Sequence, residues 1–201
     1  MNQALQQTRS RRRAAERDRS AVEADRMADA ELQATFDREF RGHIERFREP
    51  VVAALRKLVA TPLPGGEFEV LSFEMQADWR DFPVYAFAMD REAVNEEYFE
   101  PPFKGKVLPK AGPLVPKGAI DQDRYEAAGV ATFESGARVL AEWFGECWHS
   151  AGGAAFPLPA YINLHDSSRY FDLQARRWVQ ATEIGRQPDA EPGAAPDRGG
   201  M

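Results

Sequence analysis

Leu32, Phe36, Phe40, Ile44, Phe47, Val51, Leu55 and Leu58 recur at steps of three or four. That spacing puts them on one face of a helix. Burying each large apolar side chain is worth about 1.5–3 kcal/mol, so such a face must pack on something. The stripe runs through Pro50 in phase. Proline has no amide hydrogen for the helical ladder, and its ring crowds the preceding turn. The pattern therefore predicts one long helix kinked at Pro50, or two helices sharing a face. The run Thr61-Pro62-Leu63-Pro64-Gly65-Gly66 ends it.

What the stripe packs on reads as a sheet. In EFEVLSFEMQ (residues 67–76), Phe68 and Val70 follow one phase of alternation, and Leu71, Phe73 and Met75 the other. A bulge, or a strand covered on both faces, accounts for the switch. In FPVYAFAM (residues 82–89), Val84, Ala86 and Ala88 alternate with Tyr85, Phe87 and Met89. Two antiparallel strands joined near Asp78–Asp81 are the simplest arrangement. Asp121 to Ser150 reads as a second long helix, with Phe133, Ala137, Leu140, Phe144 and Cys147 as its stripe. Asp121 suits the N-cap, and Gly152-Gly153 the stop. Tyr161–Leu164 and Tyr170–Leu173 are two further strands around the turn HDSSR, and Trp178 and Val179 follow. The expected fold is α+β: a two-layer sandwich of two long amphipathic helices on an antiparallel sheet of four or five strands. Residues 30–184 form this single domain. Residues 1–29 are an Arg-rich arm, frayed or disordered, and residues 185–201 a disordered tail rich in Pro, Gly and Ala.

Charge narrows the function classes. The net charge is −6, but residues 1–29 carry seven arginines against five acids, while residues 30–201 carry 19 basic against 27 acidic residues. An acidic body opposes general nucleic-acid binding, where phosphate contacts dominate affinity. The cluster Arg9, Arg11, Arg12 and Arg13 is the one feature favouring it, and Glu16 and Asp18 dilute it. An acidic body suits a protein partner with a basic surface. Arginines without a following apolar run do not make a secretory signal, and no stretch has the length of a membrane span. The expected location is the cytoplasm.

Candidate chemistry is sparse. Cys147 is the single cysteine, which excludes an internal disulfide and a cysteine-cluster zinc site. Cys147, His149 and His165-Asp166 hold the residue types of a thiol nucleophile and base. Cys147, however, lies at the C-terminal end of its helix and on the apolar stripe, where a thiolate is disfavoured. His165-Asp166-Ser167-Ser168 has the letters of a serine triad, but adjacent residues cannot approach one ring from opposite sides, and Asp-Ser-Ser is ordinary turn chemistry. Glu146 and His149, and Glu39 and His43, have helical spacing for metal ligands, yet only the first pair has the Glu-x-x-His spacing. No glycine-rich phosphate loop is present. The expectation is a non-enzymatic protein with no catalytic residues, metal or cofactor.

Two loops carry recognition residues. Trp79 and Arg80 sit at the expected hairpin tip, and Glu96, Glu97, Tyr98, Phe99 and Phe103 follow the second strand. Aromatic residues and arginine dominate binding hot spots, so these seven are the expected partner-binding set. The segment FKGKVLPKAGPLVPKG (residues 103–118) holds four of the chain's five lysines, Lys104, Lys106, Lys110 and Lys117. Residues 101–120 contain no acid and five prolines. The segment reads first as a crossover between the halves, with some of Val107, Leu108, Leu114, Val115 and Ile120 able to tuck onto the sheet. The alternative function is binding of a small anionic ligand, or an enzyme acting on one, through those four lysines.

The run FPLPAYINLHDSSRYFDLQARRWV, after a helix carrying EWFGECW, resembles small uncharacterised bacterial families that include immunity proteins for contact-delivered antibacterial toxins. The resemblance spans roughly residues 120–180. It implies a non-enzymatic, acidic protein that masks a toxin by stoichiometric association.

Overall fold

Pro50 decides how the first stripe is divided. A continuous helix would need its absent amide to reach the Arg46 carbonyl. In the computed structural model, which describes residues 27, 29–63, 68–76, 81–89, 96–97, 101–108 and 112–184, helix α1 (residues 29–45) ends at a two-residue turn, Arg46-Phe47. Helix α2 (Arg48–Ala60) then begins, with Pro50 third in its first turn, where no helical amide partner is required. The stripe survives the break: Phe36, Phe40, Ile44, Val51, Leu55 and Leu58 are all buried. Of the two arrangements the pattern allows, two helices sharing a face is the one found.

The second helical segment also divides. Asp121 caps α3 (Gln122–Ala127) by accepting the Arg124 amide at 3.1 Å. Gly129 then takes a φ of 85°, a left-handed conformation that turns the chain out of the helix. Helix α4 (Thr132–Ser150) follows and carries Trp143, Phe144, Cys147 and Trp148, all fully buried.

The α+β class holds, and the sheet is larger than expected. Its strands are β1 (Val70–Met75), β2 (Val84–Met89), β3 (Glu96–Glu97), β4 (Gly105–Leu108), β5 (Ala160–Leu164), β6 (Arg169–Asp172) and β7 (Arg177–Gln180). The order is β3-β2-β1-β5-β6-β7, with β4 also paired to β2. Four or five antiparallel strands were expected; seven are found among the described residues, and β1 pairs with β5 in parallel. Hairpin signals reveal antiparallel neighbours only, because a parallel pair needs a long crossover that leaves no local mark. Here the crossover runs through β2 to β4, the lysine-bearing loop, α3 and α4.

Register sorts the side chains onto two faces. Leu71, Phe73 and Met75 lie beside Ala160, Ile162 and Leu164 on β5, and beside Ala88, Ala86 and Val84 on β2. This face meets the helices: the Phe73 ring lies 4.9 Å from Phe144 and 5.8 Å from Trp148. Val70, Ser72 and Glu74 point the other way. The β1 phase switch is therefore a strand buried on both faces, with Phe68 lying just before it and joining the helix-side core.

Candidate functional site

The second sheet face carries two cross-strand rows. The first is Tyr85–Glu74–Asn163–Tyr170–Val179, and the second is Phe87–Ser72–Tyr161–Asp172–Arg177. No described helix packs against them. Val70, Tyr161, Val179 and Ile184 form a small apolar cluster here with Tyr170 against it. Tyr85, Phe87, Met89 and Tyr170 remain half-buried. Ser72, Tyr161 and Asn163 at the centre of the same face are buried, so the partly exposed rings stand on β2 and β6 to either side of it.

Polar groups converge along the first row. Glu74 accepts a hydrogen bond from His165 Nδ1 at 2.9 Å and from Gln76 Nε2 at 2.5 Å. His165 Nε2 lies 3.4 Å from Asp166 Oδ2, so carboxylates flank both ring nitrogens. Asn163 is 4% exposed, and its Nδ2 donates to the Leu164 carbonyl at 3.0 Å. Its Oδ1 is buried without a partner among the described residues, which a carbonyl oxygen tolerates only at a cost. Burial pushes the Tyr170 phenol up, and the nearby Glu74 carboxylate adds to the effect. The strip holds acceptors and aromatic faces: Glu74, Asp166 and Asp172 stand there against Arg177 and Lys106, the latter opposite Tyr85. Such a surface suits guanidinium and ammonium groups, which aromatic faces also attract.

The chemistry read from the sequence separates in space. Cys147 is fully buried, and burial pushes its thiol up to about 12. Glu146 is bound by Arg41 at 2.5 Å and Arg48 at 2.9 Å, so its carboxylate is turned to two guanidinium groups and away from His149. His149 Nε2 donates to the Leu173 carbonyl at 2.8 Å and faces the Gln174 carbonyl at 3.2 Å. Asp166 takes a φ of 61°, and Ser167 Oγ accepts the Arg169 amide at 3.1 Å, which is turn chemistry. Among the described residues, no hydroxyl or thiol is hydrogen-bonded to His165 Nε2, and no three potential ligands cluster for a metal.

The expected partner-binding set is only partly described. Trp79, Arg80, Tyr98 and Phe99 lie outside the described residues. Glu96 and Glu97 form β3, paired with Met89 and Ala88 at one edge of the sheet. Phe103 requires correction: it is 3% exposed, with its ring 5.7 Å from Phe68, so it serves the core and not a surface. Phe68 lies too far back in sequence for a loop pattern to signal that contact. The four loop lysines also regroup. Lys104 and Lys106 line a groove together with Lys57 of α2, whereas Lys117 is exposed away from its lining and Lys110 lies outside the described residues. Val107, Leu108, Leu114, Val115 and Ile120 are buried, as the crossover reading expects. Sequence reasoning missed the Glu74–His165 pair altogether. The two residues are 91 positions apart and meet only because β1 and β5 are parallel neighbours.

Comparison with protein-family models, curated proteins and solved structures finds no match for the chain. No described helix is long and apolar enough to cross a membrane.

Proposed function

We propose that this protein works in the cytoplasm by stoichiometric, non-enzymatic association with a protein that has a basic surface, docking it on the helix-free face of the sheet. The observation that carries this reading is the pair of rows through Glu74 and Ser72. They put half-buried aromatic rings beside paired carboxylates, while the Cys147 thiol is buried far from them and the His165 imidazole is held by Glu74 with no nucleophile beside it among the described residues. Aromatic groups supply contact area at low entropic cost, and the carboxylates steer a basic partner. The resemblance of residues 120–180 to immunity families supports a contact-delivered bacterial toxin as that partner.

The test is co-purification from the native cell, with the captured protein identified and its stoichiometry measured by native mass spectrometry. One protein in fixed ratio, released by rising salt, is the expected result. A Tyr85→Lys/Phe87→Lys variant should fold normally and lose it. Recovery of monomer alone, or undiminished capture by that variant, would refute the reading.

A further inference from the structure

Gln76 Nε2 and His165 Nδ1 both donate to the same oxygen of Glu74, Oε1, at 2.5 Å and 2.9 Å. Two donors fill the lone pairs of that oxygen and fix the carboxylate's tilt. The other oxygen, Oε2, accepts no hydrogen bond among the described residues. The Glu74 side chain is 25% exposed, on the face without a described helix. Its cross-strand neighbours are Tyr85 on β2 and Asn163 on β5, and Tyr170 follows on β6. Strands stand about 4.8 Å apart, so the two tyrosine backbones are about 14 Å apart with both polar residues between them. Asn163 is 4% exposed, and its Oδ1 is a second acceptor without a partner among the described residues. The Tyr170 ring is held edge-on to Tyr161, with centroids 6.4 Å apart. Burial, and then the Glu74 carboxylate, hold the Tyr170 phenol up, so carboxylate and ring are near neighbours. Two basic side chains share the face at a distance: Lys106 lies one strand beyond Tyr85, and Arg177 three strands from Glu74 in the next row.

We propose that this position receives a lysine side chain of the docking partner, its ammonium on Glu74 Oε2 between the Tyr85 and Tyr170 rings. The proposal rests on the docking reading above and names the group that docks. Aromatic faces attract either kind of cation. The advantage of arginine on a carboxylate comes from bidentate pairing, which uses both oxygens. Here Oε1 is already taken, so the planar fork finds one oxygen where it is built for two. A compact ammonium needs only one, and can share its remaining hydrogens with water or Asn163 Oδ1. Its methylene stem can lie along the tyrosine rings. Gln76 and His165 are then positioning residues: they hold the carboxylate and set which cation it prefers.

NMR titration of the full chain, read at the tyrosine rings and His165, tests it with blocked single residues: N-acetyl-lysine methylamide and its arginine and norleucine counterparts. The lysine probe should give saturable shifts at Tyr85, Tyr170 and His165, and bind about threefold tighter than the arginine probe or better. The norleucine probe should give none. Glu74→Gln should abolish the lysine shifts. Gln76→Leu frees part of Oε1 and should narrow the preference, with arginine gaining on lysine. A purely structural role for Gln76 would leave that ratio unchanged, so this variant also decides if Glu74→Gln fails to fold. Arginine binding the parent as tightly as lysine would overturn the proposal. So would lysine shifts that survive Glu74→Gln, or an unchanged ratio in Gln76→Leu. Capture from the native cell separates the two readings: a partner held equally well by Glu74→Gln ends the lysine site alone, and lysine shifts with no captured partner end the docking reading alone.

Discussion

Gly153 lies against the face of the Trp148 indole. A Cβ built there would sit 2.2 Å from Trp148 Cε2, and that ring is fully buried with nowhere to move. Gly153→Ala must therefore shift the α4 terminus or the tryptophan, and overpacking of this kind costs about 1–3 kcal/mol or more. Chemical denaturation of the variant should show that loss, and an unchanged midpoint would mean that the indole has room. Cys147 offers a test by pH. Burial moves its thiol from 9.0 to about 12, so in that interval the unfolded chain releases a proton that the folded chain keeps. Stability contributed by the neutral thiol is complete below about pH 9 and falls as pH rises towards 12. Melting temperature should decline with rising pH above 9, and less steeply in Cys147→Ala. Iodoacetamide at pH 8 should leave the native thiol unmodified and label it in denaturant.

At the scale of elements, three helices are tied by one ion-pair network. Arg41 of α1 and Arg48 of α2 both reach Glu146 of α4, Arg48 also pairs with Glu45, and the Trp143 Nε1 donates to Glu45 at 3.0 Å. Burial opposes a charge on Glu146, but the hydrogen bonds from Arg41 and Arg48 outweigh it and hold the carboxyl low. Glu45 is held low chiefly by its hydrogen bond from Arg48. Stability from these carboxylates is present above the ordinary glutamate range and is lost as pH falls through their depressed values. Glu146→Gln should cost about 1–2 kcal/mol at neutral pH, the pair being only partly buried, and should flatten the acid limb of the stability curve. A second element-scale test concerns the crossover. Arg46 pins it by donating to the Pro113 carbonyl at 2.6 Å, and Leu114 is fully buried. Leu114→Asp should destabilise the fold far more than changing Lys104, Lys106, Lys110 and Lys117 together to Gln. If the four lysine changes cost more in a denaturant titration, the loop is held by charge and not by packing.

At the scale of the whole molecule, the sheet has helices on one face and no described helix on the other, and Asn163 lies buried on that second face. Its buried Oδ1 has no partner among the described residues, so Asn163→Leu removes that carbonyl while giving up one bond to Leu164. The variant should be at least as stable as the parent within about 1 kcal/mol. A clear loss of stability would show that Asn163 serves the fold alone.

The sequence by itself determined the local structure. The period of the apolar stripe specified helices, Pro50 and Asp121 specified where two of them start, and alternation specified β1 and β2, because these signals lie within a few residues of each other. The burial of Leu114 and Val115 was legible in the same way, from apolar residues spaced among prolines. Tertiary structure alone decided the rest. It paired β1 with β5 in parallel, set His165 against Glu74, sank Phe103 onto Phe68 and gathered Lys57 with Lys104 and Lys106. Each of these joins distant segments, and a long chain closes such contacts through summed burial over the whole sheet, which leaves no signature at either end.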